Sequence, residues 1–146
     1  MRISTRTRYG SRALTELALA YPRAVSVKTV ARNQRLSMKY LEHITAALKA
    51  AGLIKAVRGT RGGYALARPP ADVNLGEVFR VLEGAPLVVE CVENPRVCPR
   101  NSFCPTRDTW VEMRDAIQGV LDGTTLASLA ERAREKASEP CVSYEI

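Results

Sequence analysis

The chain has 146 residues, 46% of them hydrophobic, and a formal charge of +7 from 22 basic and 15 acidic residues, enough for one compact domain or a small domain with a protruding dimerisation element, but not for two large independent domains. Residues 1–70 hold 14 Lys or Arg against only Glu16 and Glu42, whereas residues 71–146 hold 8 basic and 13 acidic residues, so a polyanion should meet the first half. No stretch approaches the roughly 20 apolar residues that cross a bilayer, and Met1–Gly10 carries no apolar signal core, so a cytoplasmic protein without a membrane partner is expected.

In chain order, Tyr9, Ala13, Leu14, Leu17, Ala18 and Tyr21 recur at helical spacing and predict a first helix over 5–21, ended by Pro22, with Arg6, Arg8 and Arg12 off its apolar stripe. Ser26 is a good N-cap for a short second helix through Val27, Val30 and Ala31. After a break near 33–36, Ser37 caps a third helix that runs to Ala51, buries Leu41, Ile44, Leu48 and Ala51, and stops at Gly52 in a left-handed conformation. Two short helices joined by a tight turn make a helix-turn-helix.

Strands are predicted over 53–57 and 64–67, joined by Arg58, Gly59, Thr60, Arg61, Gly62 and Gly63, a hairpin wing. Pro69 and Pro70 close a DNA-binding unit over 1–70. Asn74 and Glu77 then resemble the cap of a helix ending at Gly84, which opens a second region over 71–146. A proline-containing polar loop over about 91–104 carries Cys91, Cys98 and Cys104. Beyond it, Trp110, Met113, Ile117, Val120 and Leu121 stripe a dimerisation helix over about 106–122, and a last helix starts near Thr125. The fold class is mainly α with a small β-hairpin wing.

In a helix-turn-helix the start of the second helix enters the major groove, so Ser37, Lys39, Tyr40, Glu42 and His43 are the candidates for base edges and flanking phosphates. Arg58 and Arg61 sit on a hairpin small enough for the minor groove. His43 is the only histidine, and the chain carries neither a Ser, His and Asp set nor a phosphate-binding glycine motif, so an enzyme is not expected.

The six- and five-residue spacings of Cys91, Cys98 and Cys104 suit an iron-sulphur cluster better than zinc, which prefers Cys-x-x-Cys pairs. Their use as a cluster-free thiol and disulfide switch is the alternative.

The opening Met-Arg-Ile-Ser with Arg8 and Tyr9, the helix start at Ser37, Tyr40, Leu41 and Glu42, the wing from Val57 to Tyr64, the helix at Leu75 to Val78 and the three cysteines together resemble the iron-sulphur-regulator family that includes IscR and NsrR. The resemblance covers nearly the whole chain. It implies a winged helix-turn-helix homodimer on palindromic double-stranded operator DNA, with a cluster, 2Fe-2S favoured over 4Fe-4S, controlling affinity in response to redox state, oxygen, nitric oxide or iron supply. It also implies operator contacts from Ser37, Tyr40, Glu42 and Arg58, and cluster ligation by the three cysteines. The chain departs from the pattern at the fourth ligand: Arg107 stands where IscR-like members have histidine, and Arg8 stands where NsrR-like members have an acidic residue. Asp108, Cys141, Glu90, Glu93 or an exogenous ligand are the candidates.

Overall fold

A computed structural model describes residues 3–84 and 89–138. Three helices come first: α1 (Thr5–Ala20), α2 (Val27–Gln34) and α3 (Met38–Ala50). Ser4 and Ser26 each accept a bond from the backbone N–H three residues on, satisfying one of the donors that a helix start leaves free. Gly52, at φ +73, ends α3 in the left-handed conformation expected of it. Ala51 was expected on the buried face but is exposed, because α3 stops one residue earlier and the apolar stripe ends with it at Leu48.

The wing pairs β1 (Ile54–Val57) with β2 (Gly63–Leu66), in register from Ile54 opposite Leu66 to Val57 opposite Gly63. The segment between α1 and α2 adds a third contact. Val25 and Tyr64 exchange two backbone bonds of 2.8 and 2.9 Å, so the wing is anchored beside the start of α2. Gly63, at φ +152, makes this possible: a Cβ there would lie 2.2 Å from the Val25 carbonyl oxygen.

A short 3-10 turn (Pro70–Asp72) leads to α4 (Leu75–Leu82), whose N-cap Asn74 accepts from the Glu77 N–H at 2.9 Å as its sequence implies. The cysteine segment is more ordered than a bare loop. It holds α5 (Glu90–Glu93) and two 3-10 turns, Pro95–Val97 and Asn101–Phe103. Asn94 initiates the first turn by accepting from the Arg96 N–H, a local device that helical periodicity does not register. Then come α6 (Pro105–Gly123) and α7 (Leu126–Ser138).

One core unites α1, α2, α3, the wing, α4 and α7. Leu14, Leu17, Leu41, Ile44, Leu48, Ile54 and Leu66 pack in the same cluster as Val73, Val78 and Leu82 and as Leu126 and Ala130. The change of charge near Pro70 is therefore not a boundary in packing. The connection between α6 and α7 is tied to α4 by two backbone bonds, Leu75 N–H to the Thr124 carbonyl and Leu126 N–H to the Val73 carbonyl. Among the described residues no helix is long and apolar enough to cross a membrane.

Candidate nucleic-acid interface and cysteine loop

α3 is two-sided. Leu41, Ile44 and Leu48 are each 1% exposed, while Ser37, Lys39, Tyr40, Glu42 and His43 are all exposed on the other side. Ser37 occupies the N-cap position, yet its hydroxyl makes no capping bond, so it is free for another acceptor. Arg58 and Arg61 are exposed at the tip of the wing. Among the described residues the salt bridges use Arg68, Arg80 and Arg114. Among the described residues Lys39, Arg58 and Arg61 form no salt bridge, which leaves their positive charge open to a polyanion.

The turn before α3 is held from outside the helix pair. Arg12 on α1 donates through Nε to Gln34 Oε1 at 2.9 Å and through Nη2 to the Gln34 carbonyl, and Gln34 in turn donates to Glu16. The Arg12 guanidinium also lies 5.5 Å from the centre of the Tyr9 ring, and Tyr9 meets Tyr40 edge to face at 5.9 Å. Tyr9 and Arg12 thus brace both the turn and the first turn of α3. In the sequence Tyr9 reads as part of the apolar stripe and Arg12 as a solvated charge. The only visible signal was that both lie on one helix, three residues apart.

The three cysteines are free and half-buried. Cys91 lies in α5, Cys98 follows the first 3-10 turn, and Cys104 follows the second and caps α6. Arg107 donates through Nε to the Cys91 carbonyl at 3.3 Å, and Arg114 pairs with Glu93 at 3.5 Å, so α5 is docked on α6. The Cys104 sulphur lies 3.2 Å from the Thr106 hydroxyl. That contact, and then the Arg107 backbone N–H, hold the Cys104 thiol below its usual range and favour the thiolate.

These donors match an iron-sulphur cluster in type, as soft and accessible thiols. They do not match it in arrangement. Among the described residues no three or more His, Cys, Asp or Glu side chains are grouped so as to hold a metal ion. Each cysteine belongs to a separate short turn, although α5 packs on the turn that follows it and on α6. Asp108 and Glu90 are exposed, Glu93 is engaged by Arg114, and Cys141 lies outside the described residues. Asn101 Oδ1, between Cys98 and Cys104, is buried with no hydrogen-bond partner, so the loop has an uncompensated acceptor to gain from rearrangement.

Residues 3–132 match the model of the Rrf2 family, described as an iron-dependent transcriptional regulator. The protein rrf2 of Nitratidesulfovibrio vulgaris is 40% identical over 134 residues, covering 91% of this chain and 89% of the relative. The HTH-type transcriptional regulator CymR of Bacillus subtilis is 40% identical over 131 residues, covering 89% and 90%. The solved structure of CymR, the global cysteine regulator of B. subtilis, superposes with a TM-score of 0.76 at 38% identity over 90% of this chain and 98% of that one. T. potens IscR does so with a TM-score of 0.78 at 37% identity, covering 99% and 97%. Matched along most of its length by such regulators, and folded as a winged helix-turn-helix, the chain belongs to the Rrf2 family of DNA-binding transcriptional regulators.

Proposed function

We propose that the protein binds palindromic operator DNA as a homodimer and that the chemical state of Cys91, Cys98 and Cys104 sets its affinity. The observation that carries the DNA half is the exposed face of Ser37, Lys39, Tyr40, Glu42 and His43, flanked by Arg58 and Arg61, whose cations form no salt bridge among the described residues. On this reading Lys39 and the two hydroxyl-bearing residues meet guanine edges or phosphates, Glu42 selects cytosine, and the wing arginines enter the minor groove. The dimer forms through α6, which is about 28 Å long at 1.5 Å per residue and exposes Met113 and Val120.

At the loop, the three thiolates would hold a [2Fe-2S] cluster, the fourth ligand coming from Asp108, Cys141 or outside the chain. A cluster held there would supply an oxidant-sensitive cross-link among the three turns. Cys91 is joined through α5 to α6, and Cys104 begins α6. Gathering Cys91 and Cys104 would therefore act on the start of α6, and half-sites one helical turn apart would be sensitive to a change in the spacing it sets. A second reading is favoured by the Thr106 hydroxyl beside the Cys104 sulphur, which lowers the thiol's pKa, and by the absence of grouped metal ligands among the described residues: a cluster-free thiol switch, in keeping with a relative described as a cysteine regulator.

One experiment separates them. Protein purified without oxygen should show visible charge-transfer bands together with iron and sulphide, and Cys98→Ala should lose both. A native protein that stays colourless after reconstitution, yet changes DNA affinity on thiol oxidation, would replace the cluster with the switch.

A further inference from the structure

Arg8 has no role in the reading above, and Arg35 stands in an unusual conformation. Arg35 ends α2 in the left-handed region at φ +52, the only non-glycine residue with positive φ among those described. Glycine adopts that conformation without penalty, whereas a side chain there is strained. A strained residue kept on an exposed turn points to a task for its side chain. Arg35 lines an open cleft with Thr5, Tyr9, Leu36, Ser37 and Tyr40. Arg8 borders the same cleft, donating to the Thr5 hydroxyl at 3.3 Å with its guanidinium 5.9 Å from the centre of the Tyr9 ring. The Ser37 hydroxyl makes no capping bond, and neither arginine has a carboxylate partner among the described residues.

Two unneutralised guanidinium groups over a cleft of hydroxyl-bearing side chains make a receptor for an oxyanion. Its position identifies which one. The cleft adjoins the first turn of α3, on the α1 side, so with α3 in the major groove it meets the sugar-phosphate wall of that groove. We propose that Arg8 and Arg35 form a phosphodiester seat, a backbone contact additional to those of α3 and the wing, that fixes the depth and register of the reading helix. The inference rests on the reading of α3 as the helix that enters the groove. Arg8 thereby takes a part in DNA binding, not in cluster ligation.

The test is the salt dependence of binding, by fluorescence anisotropy, of the full chain to a mixed-sequence duplex of about 30 base pairs, since each lost phosphate contact lowers the slope of log affinity against log salt by about 0.9. Arg8→Gln and Arg35→Gly should each lower the slope by about 0.9 per bound protomer and weaken binding equally on unrelated sequences. Arg132→Gln, on α7 and away from the cleft, should leave the slope unchanged. Arg35→Gly also removes the backbone strain, so its melting temperature should not fall. Arg8→Gln leaves every backbone conformation intact and carries the test independently. Slopes of both variants equal to wild type, or an equal drop in Arg132→Gln, would overturn the seat. If the wild-type protein itself bound without salt dependence, it is the groove-binding reading of α3 that would fall instead.

Discussion

Glu83 terminates α4 with its carboxylate turned back over the start of α1. It accepts from the Ser4 N–H at 3.2 Å, from the Ser4 hydroxyl at 2.5 Å and from the Thr7 hydroxyl. These bonds favour the ionised form, the Ser4 hydroxyl most, and hold the carboxyl below its ordinary value of 4.5. A carboxyl depressed on folding contributes stability that is present above the unfolded value and is lost as pH falls through the folded one. Glu83→Gln should therefore lower the melting temperature at pH 7, and the gap to wild type should close as pH drops below 4.5. A gap that persisted into acid would assign the contribution to packing. The partners are 76 and 79 residues apart, so no local pattern announces them. Asn74 is the contrast, since its bond to Glu77 spans three residues and is legible as a capping pair.

Helix α6 differs from the other α-helices in burying none of its 19 residues. Its expected single stripe divides into two sides: Trp110, Ile117 and Leu121 are half-buried, whereas Met113 is 44% and Val120 69% exposed. On the side toward α4, Gly76 lies so close beneath Asp122 that a Cβ would come within 1.8 Å of its carboxylate, and Arg80 pairs with Asp122 at 3.4 Å. Met113 and Val120 lie seven residues apart, two turns along one side of the helix, the spacing at which an apolar side can meet a partner helix. Val120→Glu should convert the protein to a folded monomer in analytical ultracentrifugation and weaken operator binding at least tenfold, because the half-sites are then engaged separately. A dimer unaffected by this change would place the interface elsewhere. Helical periodicity located α6, but it could not tell the half-buried side from the exposed one, since both are apolar at the same spacing.

Across the whole molecule, α7 is the closing piece. Leu126 is fully buried and Ala130 is 2% exposed within the cluster that also holds Leu14 and Leu17 of α1. Leu126→Ala should cost about 2–5 kcal/mol, and denaturation should remain one cooperative transition followed equally by the lone Trp110 and by far-UV circular dichroism. Two separated transitions would show that the reading head is stable without the C-terminal elements. The single core also gives the cysteine loop its mechanical setting: it is carried between α4 and α6, both joined to the body that supports α3.

The sequence by itself determined what neighbouring residues dictate. Leu41, Ile44 and Leu48 set the buried side of α3 and thus the exposed one; Ser26 and Asn74 set helix starts; the glycines from Gly59 to Gly63 set the wing; and the crowding of Arg and Lys before Pro70 set the sign of the partner. Each is a signal within a few turns of chain, where 3.6-residue periodicity, capping chemistry and backbone freedom act. Tertiary structure alone decided that α7 completes the core of α1, that Arg12 and Tyr9 brace the turn before α3 and its first turn, that Glu83 returns to Ser4, and that three cysteines suitably spaced in sequence lie on separate turns. Those outcomes depend on which distant side chains fill the same space, and burial and shape complementarity leave little trace in the spacing of residues along the chain.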